Sequence, residues 1–256
     1  MKRNGIQNQS RREVQAFQTS VIPRPPLKEP RSQSLLTSAA TSLDFLLWQL
    51  ADSAFPTGGF AHSAGLEAAW QHGEVRNREQ LVSFVEASLE QLGHAALPFV
   101  TTAHDEPGRL AELDQLCDAF TSNHVANRAS RAQGRALASA VERIFNVELR
   151  TPNFELRFTH LAPVFGAGFR WLDVARDTTA RMFFFNHLRG AFAAAVRLNI
   201  IGPMEAQTLQ HHLGPEAEAV LTRCASLTLD DLAQTSPLLD LWQGAQDRLY
   251  SRLFQS

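Results

Sequence analysis

The chain has 256 residues, enough for one or two domains, and its 44% hydrophobic and 20% charged residues describe a folded globular protein. The net charge of −2 gives no overall reason to expect nucleic acid or a lipid surface. Its two lysines, Lys2 and Lys28, both precede residue 30, so the rest of the chain lacks the lysine that a P-loop or a pyridoxal Schiff base needs, and arginine replaces neither.

Residues 1–41 are rich in Gln, Ser, Arg and Pro, carry a net charge of +5, and leave −7 on the remainder. They offer too little apolar surface to offset the entropy of ordering, which predicts a disordered, solvated tail. An Arg-rich, acid-poor start also resembles an organelle transit peptide, but Pro23 to Pro30 oppose the amphipathic helix such a peptide needs.

From residue 42 onward the pattern predicts one all-α domain of roughly ten helices, with no internal repeat. Leu43, Leu46, Leu47 and Leu50 mark a first helix that ends at Pro56-Thr57-Gly58-Gly59. A second runs from about Ala61 to His72-Gly73. Asn77 is placed to cap a third, with Leu81, Val82, Val85, Leu89 and Leu92 on one face. A fourth follows Pro107-Gly108 around Leu110, Leu113, Leu116 and Cys117. The segment 127–145 has the clearest apolar stripe, flanked by Arg128, Arg131 and Arg135.

Residues 146–158 alternate around Thr151-Pro152-Asn153; a short hairpin fits, but two strands alone are marginal, so a loop is expected. Helices resume at about 160–175 and 178–199. Gly202-Pro203 starts another by the preference for proline at the first helical position, and Gly214-Pro215 repeats the device. The last helix is predicted from Pro237 to the end, with Leu238, Leu241, Trp242, Ala245, Leu249 and Leu253 on one stripe and Arg252 near its C-terminus. No apolar run approaches the ~20 residues of a membrane span.

The residues offer little catalytic chemistry. Phe55-Pro56-Thr57-Gly58-Gly59-Phe60 leads into a helix but lacks the G-x-G-x-x-G spacing, and reads as a tight turn packing Phe55 and Phe60 into a core. None of nine histidines forms H-x-x-H, H-x-x-x-H or H-E-x-x-H, so no metal site is expected. Ser63 lacks the nucleophile-elbow pattern. Cys117 and Cys224 fit a reducing compartment, most simply the cytoplasm. The arginine stripe suits either a solvated helix face or an acidic partner, and the last helix either core packing or docking.

The run from Leu47 to Glu67, LWQLADSAFPTGGFAHSAGLE, resembles the N-terminal signature of the urease accessory protein UreF family. Arg128-Ala129-Ser130-Arg131-Ala132-Gln133-Gly134-Arg135 agrees in the family's order. So do His187-Leu188-Arg189-Gly190, Val196-Arg197-Leu198, Ile201-Gly202-Pro203 and the terminal YSRLFQS from Tyr250. Many members carry Tyr-Ser where this chain has His62-Ser63. The resemblance implies a non-catalytic, helical, dimeric adaptor without cofactor, joining UreD (also called UreH) to the GTPase UreG on apo-urease during nickel insertion. The alternative is a direct nickel carrier using histidine and carboxylate ligands such as His62 and Glu67. By resemblance the partner-binding residues are Phe60, His62, Ser63, Glu67, Arg128, Arg131, Gln133, Gly134, Tyr250 and Arg252. Gly190, Ala191, Ala193, Ala194 and Ala195 permit close helix approach, which serves either a core or a symmetric interface, and the resemblance implies the homodimer.

Overall fold

Helix α7 (Leu161–Trp171) sits at the centre, with every residue from Ala162 to Phe169 buried. The computed structural model describes residues 34–149 and 156–256, with side chains from residue 43. The disorder expected of the tail falls, over residues 1–33, outside the described residues. Around α7 lie α4 (Leu97–Asp105), α5 (Leu110–Phe120), α6 (His124–Phe145) and α8 (Arg176–Arg197), while α3 (Arg78–Ala95) and α9 (Pro203–Cys224) pack on each other and on α8. Helices α1 (Ser34–Ala51), α2 (Leu66–Gln71) and α10 (Pro237–Ala245) complete the set. Among the described residues the chain is all-helical, with no strand.

Close backbone approach explains the glycines of the central layer. A Cβ on Gly166 would lie 2.0 Å from the Val100 carbonyl oxygen, so α4 and α7 can cross only with glycine there. Phe165 stacks on Phe169 at 4.1 Å between centroids and meets Phe183 edge-on at 5.1 Å, geometries that add to area burial.

Several elements follow the sequence pattern. The Asn77 side chain accepts from the Gln80 N–H and starts α3. Asn123 does the same for α6, accepting from Val125 and Ala126, while its amide donates to the Asp240 carbonyl and clips α10 alongside.

Other elements correct it. Helix α1 begins at Ser34, so eight residues assigned to the tail are helical. The second helix is α2 alone, preceded by a single 3-10 turn at Gly59–Ala61. Helix α4 is absent from the predicted set because Leu97, Phe99, Val100, Ala103 and His104 are buried together, leaving no polar face to set a period. Residues 146–149 and 156–158 are irregular, as a loop would be, and the Thr151-Pro152-Asn153 turn lies outside the described residues.

Gly214-Pro215 starts no helix; α9 runs through it. Pro215 and His211, whose carbonyl it frees, are both exposed, and buried Leu209, Leu213, Ala217 and Val220 keep the helix on the core on either side. The last helix does not reach the terminus. It ends at Ala245, makes one 3-10 turn (Gln246–Arg248), and residues 249–256 fold back across the body.

Candidate functional site

The signature run and the C-terminal segment, nearly 190 residues apart in sequence, form one structure around Glu67. Glu67 lies in the first turn of α2 and is 1% exposed. One carboxylate oxygen accepts from the Leu253 N–H at 2.6 Å; the other accepts from the Phe254 N–H at 3.0 Å and the Gln246 amide at 2.6 Å. The Gln246 amide also donates to the Phe254 carbonyl, and Gln71 donates to the Ser251 carbonyl at 2.9 Å. A buried carboxylate is satisfied here by backbone and amide donors, which fixes the path of the segment.

The glycine loop supplies the second attachment. Gly58 and Gly65 hold left-handed backbone at φ 72° and 91°, a region glycine enters without strain. Between them the Ala61 carbonyl accepts from the Gln255 N–H at 2.8 Å, and the Ser63 N–H donates to the Ser256 carbonyl at 2.5 Å. The Ser63 hydroxyl adds a bond to the same carbonyl at 3.1 Å, and His62 Nδ1 meets the Ser256 hydroxyl at 2.6 Å. Burial, with the charge of Arg128 behind it, pushes the His62 imidazolium to lower pKa.

The outer edge is charged. Asp247 accepts two bonds from Arg128, at 2.8 and 3.0 Å, one from Arg252 at 3.0 Å, and meets His124 at 3.2 Å. The Arg128 bonds hold the Asp247 carboxyl below its usual range. Arg252 therefore leaves the helix C-terminus where the sequence placed it and joins an exposed cation cluster on one carboxylate. Tyr250 stands fully in solvent and Phe60 is 71% exposed. The turn reading had both loop phenylalanines in a core; Phe55, at 7% exposure, goes there, and Phe60 does not.

The structure separates the remaining candidates. Arg131 turns from Arg128 and lies over the Phe158 ring at 5.1 Å. Gly134 is buried, and a Cβ on it would lie 2.0 Å from the Thr159 carbonyl oxygen. It serves as a packing position where α6 passes Thr159. Gln133 stays near the loop, its Oε1 3.5 Å from where a Gly59 Cβ would stand.

Beneath the loop lies a cavity of about 420 Å³ between residues 53–64 and α8, with Phe84, Phe165 and Phe183 among its walls. His187 lines it; its Nε2 meets Ser88 Oγ at 2.8 Å while that hydroxyl donates to the Val85 carbonyl. Burial lowers the His187 pKa to about 4. In the unfolded chain a histidine titrates near 6.5, so between pH 6.5 and 4 the unfolded state binds a proton the folded state refuses. Stability should therefore be full above pH 6.5 and fall by about 2–3 kcal/mol toward pH 4 from this residue alone. Urea melts at pH 7 and pH 4.5 should show that His187→Gln removes that part of the pH dependence.

Sequence reasoning missed Gln246, Asp247, Arg197 and Phe254. Arg197 and Phe254 stand in runs that carry the resemblance, but nothing in the pattern marks them as partners of each other or of Phe60.

Among the described residues, the fold is an all-helical body that folds its C-terminal segment onto a glycine loop and leaves Phe60, Tyr250 and Arg252 exposed along that seam. The UreF family model matches residues 75–214. Urease accessory protein F of Oryza sativa subsp. indica is 40% identical over 216 residues, covering 81% of this chain and 83% of its own. Urease accessory protein F of Arabidopsis thaliana is 36% identical over 241 residues, covering 90% and 99%. A UreF-like protein of Schizosaccharomyces pombe is 29% identical over 225 residues. The chain belongs to the UreF family of urease accessory proteins, which places it in urease maturation. Among the described residues no helix is long and apolar enough to cross a membrane.

Proposed function

We propose that this protein is a non-catalytic cytoplasmic adaptor, acting as a homodimer, that bridges UreD/UreH and UreG on apo-urease while nickel is inserted. The single observation carrying this reading is the seam where Phe60, Tyr250 and Arg252 stand exposed, with the C-terminal segment bonded to buried Glu67 at Leu253 and Phe254 and to the glycine loop at Gln255 and Ser256. Rigid exposed aromatics and arginine lose little entropy on binding, which suits them to interface hot spots. Gly190 and Ala193 remain open on α8, in keeping with close approach of a second copy.

Truncation would be a poor test, because residues 250–256 include Phe254, which is 4% exposed, and two of the donors to Glu67. Point variants are clean. Phe60→Ala and Tyr250→Ala should each weaken partner binding by about 2 kcal/mol or more, the cost of truncating a hot spot. Co-purification with UreD and UreG, and urease activation, should fall while the melting curve stays within a few degrees. Unchanged co-purification in both variants would remove the seam from the interface. A direct nickel carrier makes a different forecast, that the isolated protein binds nickel with measurable affinity in equilibrium dialysis. Among the described residues no group of three or more His, Cys, Asp or Glu is arranged to hold a metal ion.

A further inference from the structure

Arg197, in the last turn of α8, is held between two aromatic faces. Its guanidinium carbon lies 3.9 Å from the centroid of Phe60 and 4.1 Å from that of Phe254. Its Nη1 donates to the Phe60 carbonyl. The two rings come from opposite sides of the seam, one from the glycine loop and one from the folded-back segment. Other exposed arginines have a carboxylate: Arg128 and Arg252 share Asp247, and Arg181 in α8 takes Glu218. Arg197 pairs with no carboxylate among the described residues, and its Nε and Nη2 find no acceptor there.

A stacked guanidinium keeps its planar fork of donors in the ring-free plane, oriented in advance for two parallel bonds to a carboxylate. Holding the group between rings removes most of the rotamer entropy that binding would otherwise cost. On a body whose charge from residue 42 on is −7, an unpaired and immobilised cation beside an exposed aromatic is a specific feature rather than part of a general field.

We propose that Arg197 is the anchor for a carboxylate presented by an acidic segment of the partner protein, with Phe60 and Phe254 as the clamp that orients it. The proposal rests on the adaptor reading only for who the partner is. Its chemistry is testable without that partner, with a hexaglutamate peptide as the probe.

The Nε–H proton resonance of Arg197, identified by its loss in Arg197→Lys, should shift saturably as hexaglutamate is added to the full-length protein. It should shift equally in Arg181→Ala, a variant outside the seam, and should not shift with hexaserine. Arg197→Lys keeps the charge but loses the fork, and the Phe60 ring signals should then report an affinity weaker by about tenfold. No saturable shift in the wild type overturns the proposal without any variant having to fold, and an equal shift with inorganic phosphate overturns the carboxylate assignment. Co-purification separates the two readings. A wild type that takes hexaglutamate at Arg197 but captures neither UreD nor UreG leaves the anchor standing and sinks the adaptor reading. Capture undiminished in Arg197→Lys sinks the anchor and leaves the adaptor.

Discussion

Glu67→Gln should release the C-terminal segment from the body and abolish urease activation while most of the helical signal remains. Glutamine keeps one acceptor oxygen but turns an NH₂ group toward donors that the carboxylate now accepts from, the N–H groups of Leu253 and Phe254 and the Gln246 amide. Losing bonds to a charged group and leaving buried donors unmet together cost about 3 kcal/mol. The loss is local at first, since α2 and the core beneath it keep Leu66, Ala68 and Ala69 buried. Hydrogen exchange should show the Leu253, Phe254 and Gln255 amides losing protection while those of α7 keep theirs. Retained protection at Leu253 and Phe254 would mean that Phe254 packing, not the carboxylate, holds the segment.

Asp114→Ala is expected to be still more damaging, and through the core rather than the seam. Asp114 has no exposed surface, and its two oxygens accept from the backbone N–H groups of Phe158, Thr159 and His160 at 2.9, 3.0 and 2.7 Å. These amides open the path into α7, and Thr159, a β-branched residue, sits there at φ 65°, a conformation that costs energy unless its surroundings impose it. The same turn orients His160 between Ser130 and Asp118, with burial lowering its pKa. Alanine would strand three buried donors beside a strained residue, a cost of about 3–5 kcal/mol by comparison with breaking other buried charge networks. For a domain of this size that corresponds to a fall in Tm of about 10 °C or more. A fall of only a few degrees in a calorimetric melt would show that water can replace the carboxylate.

The same residues show where sequence reading succeeds and where it stops. Helices α3 and α6 were legible because each has one buried and one wet face, so the 3.6-residue period is written in their side chains; Asn77 caps α3 as expected, whereas α6 starts at His124 behind an Asn123 cap, three residues before the expected 127. Helix α4 was not, since burial on all sides erases the period. Pro215 misled because a proline's effect depends on whether the carbonyl it frees is open to solvent, and only the tertiary structure shows His211 and Pro215 exposed. The candidate site was legible through resemblance in the run from Leu47 to Glu67 and at Tyr250 and Arg252. Gly134 shared a motif with Arg128 yet serves the crossing of α6 under Thr159.

What the sequence by itself determined was local or eliminative. Two N-terminal lysines exclude P-loop and pyridoxal chemistry in the body, periodicity makes the body helical, and spaced motifs assign the family. What only the tertiary structure decided was every long-range pairing: Glu67 with Leu253 and Phe254, Asp247 with Arg128, Asp114 with the start of α7, and Arg197 between Phe60 and Phe254. The physical reason is range. A helix is specified by bonds four residues apart, so its pattern shows in a short window, whereas a buried polar group takes its partner from whatever segment packing brings within about 3 Å. Glu67 carries no mark in the chain of the amides 186 and 187 residues away that complete it.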